Sequence, residues 1–438
     1  MIEALLATIS GTALGFLAGL LPGIGTSTII IIFFSFLLKQ DILSLLIFYA
    51  SMISASQYAG SITALVFGIP GENSSLPIVE LREHLKREGH SAEAIAFTAI
   101  SSFVGAMIIF AFTISILDVA AEYTFYLKSW VSATTGIVGL VLAITFSNNR
   151  VWQSVLLVTL GWMLSSVGIN QTTQKEFLTF GNDYLRGGLP NITVLLGLFA
   201  LPNFIRFIET KIDLTDKIKI DFVSKLSGWR KQTIVIIRSS MLGFVLGLVP
   251  YVGTNLSSNI AYYIERWFRP RDYLSQAVAA ESANNAASIS VLIPMLIFGI
   301  AIQIGEGMIL DIINMSSKSL TWNYVLTILP ILSAMIVLSN ALSLLIAWPL
   351  VVYSINFLEK YNRYIPWVLS TVCIYTAWTI GEQSHQGYYY LICLFVFCLG
   401  GFLIRKFDTM PLVFAFLLQE TLEPSIIRTI KIISMNMG

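Results

Sequence analysis

An apolar helix that has to accommodate a proline, and does so twice, is the feature that most restricts how this chain folds. Gly15-Phe-Leu-Ala-Gly-Leu-Leu-Pro-Gly-Ile-Gly-Thr-Ser27 returns almost residue for residue as Gly243-Phe-Val-Leu-Gly-Leu-Val-Pro-Tyr-Val-Gly-Thr-Asn255. Pro22 and Pro250 divide the 438 residues near their middle. Each copy reads as an apolar helix, a proline break, a Gly-Thr-(Ser/Asn) turn and a second apolar run. Proline removes a backbone donor and glycine loosens the helix, so the freed amides and carbonyls need partners. In lipid, such a break survives only where it is buried in protein or lines a cavity. Two related breaks in two halves point to the substrate site of a secondary transporter. The plainer reading, two kinked helices that merely pack, explains a duplicated breaker less well than a single one.

Composition identifies the solvent. The chain is 56% hydrophobic and 12% charged, where a soluble chain carries about 25% charged residues. It reads as an all-α polytopic membrane protein. A net charge of +1 gives no electrostatic case for nucleic acid. Cys373, Cys393 and Cys398 stand in apolar segments with no histidine or acid at ligand spacing, so they read as core residues. Met1-Ile-Glu3 lacks the basic start of a cleavable signal, and insertion is expected through internal spans.

Along the chain, apolar residues 2–38 surround the first break, and a second interrupted stretch covers 42–70. The charged run Glu80-Leu-Arg-Glu-His-Leu-Lys-Arg-Glu88 follows. Candidate spans then fall at about 93–117, 124–146, 152–169 and 190–207, each near the ~20 residues a bilayer needs. A basic block from Arg206 to Lys231 separates the halves. The second half retraces the first, with broken stretches at 232–265 and 276–310 and apolar runs at 324–340, 341–356, 364–381 and 387–404. It closes on the short run Met410–Leu418. The expected organisation is a first transmembrane repeat at 1–208, a basic cytoplasmic linker at 209–231 and a second repeat at 232–438. Each repeat would hold Pro/Gly-broken re-entrant hairpins plus about four transmembrane helices. The positive-inside rule puts the basic links in the cytoplasm and the 118–122 and 170–189 links outside. Repeat orientation stays open, because one miscounted segment inverts it. Trp152, Trp229, Trp267, Trp322 and Trp367 fall near span ends, as interfacial anchors do.

The polar residues within the breaks carry the chemistry. Gly23, Gly25, Thr26, Ser27, Ser61, Gly71, Asn73 and Ser74 would line one side of a substrate site, and Thr254, Asn255, Asn284, Asn285 and Ser288 the other. Hydroxyls, amide oxygens and unwound carbonyls suit a hard monovalent cation, while free amides at helix starts suit a carboxylate. No Lys or Arg lies in these motifs, so an anion would be held by amides and hydroxyls with a bound cation lending charge. Glu281, in an otherwise apolar segment, is the candidate coupling residue, since an acid at membrane depth is a functional hypothesis by default. The alternative is an acid solvated at a hairpin mouth. His84, His90 and His385 fall in polar links away from metal spacing. HExxH, GxSxG and phosphate-cradling Gly-Lys loops are absent. No metal site, cofactor or enzymatic activity is expected.

These residues resemble the large membrane subunit of the tripartite tricarboxylate transporter family. Leu21-Pro-Gly-Ile-Gly25 is similar to its first glycine motif, and Tyr58-Ala-Gly-Ser61 with Gly68-Ile-Pro-Gly71 to its YGGS…IPG segment. Gly168-Ile-Asn-Gln171, Phe177-Leu-Thr-Phe-Gly181 and Gly187-Gly-Leu-Pro190 resemble its RFTFG loop, and Glu281-Ser-Ala-Asn-Asn-Ala286 with Ile293-Pro294 its PEAANNA…IP segment. The resemblance implies a multi-pass carrier in the bacterial inner membrane that imports carboxylates such as citrate on a sodium or proton gradient. Its implied partners are a periplasmic solute-binding protein and a small membrane subunit; a homo-oligomer is left open. Tyr251 replaces the second Pro-Gly glycine, Ala280 the proline before Glu281, and Gly299-Ile-Ala-Ile302 the second Ile-Pro-Gly. These departures imply a weakened second break and an altered or smaller substrate, with Tyr251 filling space. A transport-inactive scaffold or sensor is the alternative within the fold; a membrane-embedded enzyme using Glu281 would need a partnered base or metal that the sequence does not display.

Overall fold

The computed structural model describes residues 1–21, 25–68, 70–122, 124–170, 174–204, 229–316, 320–361 and 364–436. Of the expected linker, residues 209–228 lie outside the described residues. The fold is helical almost throughout, with one short hairpin pairing Gly168 with Phe177 and Ile169 with Glu176.

Helix α1 (Ile2–Leu20) ends where the chemistry of a pre-proline residue requires it. Leu21 is extended, with φ −95° and ψ 103°, because the following ring disfavours helical backbone. The chain resumes in α2 (Thr26–Ile32) and α3 (Phe34–Leu37). Helix α4 (Ile42–Phe67) is capped at its start by Asp41, whose Oδ1 accepts the Ser44 N–H at 3.2 Å, and it stops at left-handed Gly68. The first half continues with α5 (Leu76–Arg87), α6 (Ser91–Glu122), α7 (Thr124–Phe146), α8 (Val151–Ser165), α9 (Asp183–Arg186) and α10 (Asn191–Leu195). The last runs on through a π turn at Leu196–Ala200.

The second half comprises α11 (Trp229–Gly247), α12 (Gly253–Phe268), α13 (Tyr273–Ser290), α14 (Leu292–Phe298), α15 (Ile304–Met315) and α16 (Trp322–Tyr361). It ends with α17 (Ile365–Gln383), α18 (Gly387–Leu403) and α19 (Met410–Asn436). Three expectations are corrected here. The runs 324–340 and 341–356 form one 40-residue helix, since nothing between them breaks it. The closing run Met410–Leu418 extends to Asn436 with Pro424 inside the helix. His84 sits in the last turn of α5, not in a link.

Backbone-to-backbone packing draws the broken helices together. A Cβ on Gly15 or Gly19 of α1 would stand 2.3 Å from a carbonyl of α4, and one on Gly243 of α11 would stand 2.2 Å from the Ala283 carbonyl of α13. Small residues permit this approach, the usual basis of helix association in lipid. The α1/α4 pair is then closed by α16 of the second half, and the α11/α13 pair by α6 of the first. The same exchange recurs outside: α19 packs on α7 and α8, while the π turn after α10 packs on α18.

Among the described residues, four helical segments are long and apolar enough to cross a membrane: Ile2–Leu20, Ile42–Val66, Ser91–Ser115 and Trp322–Ile346. A bent pair, Met410–Gln419 with Thr421–Ile432, makes a fifth if counted as one span. Helix α13 is not among them, being rich in Ala, Ser and Asn, yet it is buried from Ser275 to Ser290. It is the centre of the molecule, touched by α4, α5, α6, α11 and α12.

Candidate functional site

The breaks meet around α13. Gln57 on α4 is the junction: its Oε1 accepts from Ser74 Oγ at 2.9 Å and from Asn284 Nδ2 at 2.6 Å. Ser258 of α12 donates to the Ser74 carbonyl at 2.6 Å. The break after α4 is thereby tied to two helices of the second half, nearly two hundred residues away in sequence. Asn285 Nδ2 reaches across to Ser102 of α6 at 2.7 Å and back to the Glu281 carbonyl at 3.1 Å. Ser288 Oγ donates to the Asn285 carbonyl at 2.7 Å, and Ser61 Oγ to the Gln57 carbonyl at 2.9 Å.

Glu281, at 0% exposure, is the outlier in this cluster. Ser61 and Asn284 flank its carboxyl, but the Ser61 hydroxyl and one Asn284 N–H are given to Gln57, and neither carboxylate oxygen receives a well-formed hydrogen bond. The alternative of an acid solvated at a hairpin mouth is therefore corrected: the polar, small-residue run around Glu281 is a buried helix. Among the described residues, none of the ion pairs reaches it. Arg238 and Arg269 engage Glu265, Lys231 engages Asp272 and Arg266 engages Glu80, while Arg82, His90 and Arg186 pair with Glu83, Glu93 and both Glu176 and Asp183.

The other candidate residues separate into two further groups. Thr26 N–H donates to Glu72 Oε1 at 3.3 Å, and the Glu72 carboxyl lies against Gly25 so closely that a Cβ there would stand 3.2 Å from Oε2. Gly71 is pinned between strands of backbone, since a Cβ would come within 1.9 Å of the Gly19 carbonyl. At the second break, Gln303 Nε2 donates to Thr254 Oγ1 at 3.4 Å and Tyr251 N–H to the Ile302 carbonyl at 2.7 Å. Ser27 and Asn255 are half-buried in the first turns of α2 and α12. Gly23 and the Asn73 side chain lie outside the described residues.

A scan against family models matches residues 5–415 to one described as the tripartite tricarboxylate transporter TctA family. The chain belongs to that family. As a TctA-family chain it is a tricarboxylate transporter subunit, a membrane protein with a small-molecule substrate and partner subunits. It is also 25% identical over 436 residues to an uncharacterized 52.8 kDa protein in the TAR-I ttuC' 3' region of Agrobacterium vitis, covering 94% of this chain and 84% of that one. No solved structure matches.

The altered positions Tyr251 and Gly299 still lie at breaks between helices. Gly299 ends α14 in the left-handed region at φ 64° and α15 restarts at Ile304, so the chain still breaks at Gly299-Ile-Ala-Ile302 without the proline. Tyr251 itself adopts φ 69°, a left-handed conformation that strains a residue with a Cβ and that glycine takes freely. Its ring packs edge-on against Phe414 of α19, with centroids 5.1 Å apart.

Sequence reasoning missed Gln57, Ser102, Tyr49 and Glu306. Glu306 is fully buried and accepts from the Tyr49 hydroxyl at 2.5 Å and from the Gln303 N–H at 2.6 Å. Its signal was present, since Gln303-x-x-Glu306 is a capping-box spacing. Gln57 and Ser102 stand among small and apolar residues with no local pattern to distinguish them.

Proposed function

We propose that this chain is the translocating subunit of a gradient-driven importer of organic carboxylates, citrate-like or smaller, across the bacterial inner membrane. The observation that carries it is the Gln57 junction, where the break after α4 and the buried helix α13 share one buried polar cluster. Family membership supplies the substrate class. A periplasmic solute-binding protein and a small membrane subunit would complete the system, with sodium or protons as the driving ion and Glu281 as the coupling residue.

The two halves, 1–208 and 232–438, are read as related repeats whose broken segments are re-entrant. The reciprocal exchange of α6 and α16, and of α10 and α19, supports that reading, since each pair of corresponding helices closes the opposite bundle. The substrate carboxylates would be held between Ser27, Asn73 and Ser74 on one side and Thr254 and Asn255 on the other, since the Glu72 carboxylate already takes the Thr26 amide beside Gly25 and the Gly19 carbonyl fills the space at Gly71. The first turn of α12 has no side-chain cap, which leaves its amides available to an anion. Alternating access would follow from movement of one bundle against the other.

Uptake of labelled citrate and smaller carboxylates into proteoliposomes tests this, with and without an inward sodium gradient and the partner subunits. Gradient-dependent uptake is expected, and Asn284→Ala and Ser61→Ala should abolish it while leaving a folded protein. Absence of uptake by the complete folded system would overturn the reading.

A further inference from the structure

Helix α13 presents one face on which Glu281, Asn284 and Asn285 stand together, as i, i+3 and i+4 positions do. All three are at 0% exposure. Four of their oxygens, both of Glu281 and the Oδ1 of each asparagine, have no hydrogen-bond partner in the protein. The Asn285 nitrogen is fully committed and the Asn284 nitrogen half so. Asn285 Nδ2 serves the Glu281 carbonyl and Ser102, which fixes its orientation, because a main-chain carbonyl only accepts. Asn284 Nδ2 serves the Gln57 oxygen that also accepts from Ser74. The surface left over is dominated by acceptors, four oxygens against the second N–H of Asn284.

Such a surface disfavours an anionic substrate, which would set carboxylate against carboxylate and amide oxygen. A cation can. Unpartnered buried acceptors are costly, and an unpaired buried charge more so. One carboxylate balances one positive charge, whereas a divalent ion would leave a surplus inside the membrane. We infer that Glu281, Asn284 and Asn285, with Ser61 beside them, form a binding site for a sodium-sized monovalent cation, and that Asn284 and Asn285 serve this ion and not the substrate. Oxygen donors from a carboxylate, two amides and a hydroxyl are the hard ligands such an ion prefers. The assignment of a coupling role to the ion rests on the carrier reading; its binding does not.

The test uses the purified full-length protein in detergent without substrate. Binding of radiolabelled sodium and the thermal unfolding midpoint are measured in sodium, potassium and choline chloride at fixed ionic strength. Saturable, sodium-selective stabilisation of the wild type is expected, removed in Glu281→Gln and shifted at least about tenfold in apparent affinity in Asn285→Ser, as loss of one ligand in a small site predicts. Asn285→Ser also keeps the test decisive if Glu281→Gln does not fold. Equal response to all three cations, or a sodium response that survives both substitutions, overturns the site. Sodium binding without uptake in proteoliposomes would remove the carrier reading and keep the site. Gradient-driven uptake with no sodium binding would do the reverse.

Discussion

Glu281 and Glu306 are the same residue type, equally buried, in the same half of the chain, and they have opposite roles to play. Glu306 sits at the second break with the Tyr49 hydroxyl and the Gln303 amide donating to it. Glu281 sits in mid-helix with neither oxygen engaged. Burial alone therefore does not mark a functional acid. The distinction lies in whether the surrounding elements supply donors: a satisfied carboxylate braces the fold, while an unsatisfied one is held ready for a ligand.

The largest effect should come from Glu306→Ala. It strands two buried donors at once and should lower stability by about 3 kcal/mol, read as a fall in the unfolding midpoint in detergent. A midpoint unchanged from wild type would remove the bracing role.

Glu281→Gln should act in the other direction on stability and more severely on function. In sodium-free buffer, removing an unpaired buried charge is neutral or stabilising by about 1 kcal/mol, yet transport should be lost. A mutant that is both unstable and active would erase the contrast between the two acids.

Tyr49→Phe is the milder probe of the Glu306 side, because one of the two donors remains. About 1 kcal/mol of stability should be lost with transport retained. In a double-mutant cycle, Tyr49→Phe with Glu306→Gln should be coupled by roughly 0.5–3 kcal/mol, and no such coupling is expected between Tyr49→Phe and Glu281→Gln.

The smallest effect concerns Asp272, which starts the helix that carries Glu281. Burial pushes its carboxyl up, but hydrogen bonds from Lys231 and from the Ser275 hydroxyl and amide, with the Lys231 charge, outweigh it and hold the group below the usual Asp range. A depressed folded value stabilises above the ordinary Asp value near ~4 and stops doing so as pH falls through the folded one. Asp272→Asn should therefore cost a few tenths to about 1 kcal/mol at neutral pH, and the difference from wild type should vanish in acid.

Much of the candidate site was legible because membrane insertion makes certain residues expensive. Pro22 and Pro250 mark the breaks and Leu21 shows the backbone consequence directly. Glu281 and its asparagines stood out as polar groups in a segment without charged neighbours. The role of the asparagines did not, since an amide serves equally as donor or acceptor until its neighbours are known. Only the positions of Gln57 and Ser102 showed where the nitrogens are engaged. The substitution at Tyr251 was visible, but its outcome was not: the turn geometry is imposed by the bond to Ile302, and the tyrosine follows it.

By itself the sequence determined the solvent, the family and where the helices must break, because these follow from local properties: hydropathy, proline and glycine chemistry, and short motifs. The tertiary structure decided which polar groups are satisfied. It brought Tyr49 to Glu306 and Gln57 to Asn284 across more than half of the chain, and it closed each bundle with a helix from the other half. Hydrogen-bond satisfaction is a property of pairs, and pairs so distant in sequence leave no local trace.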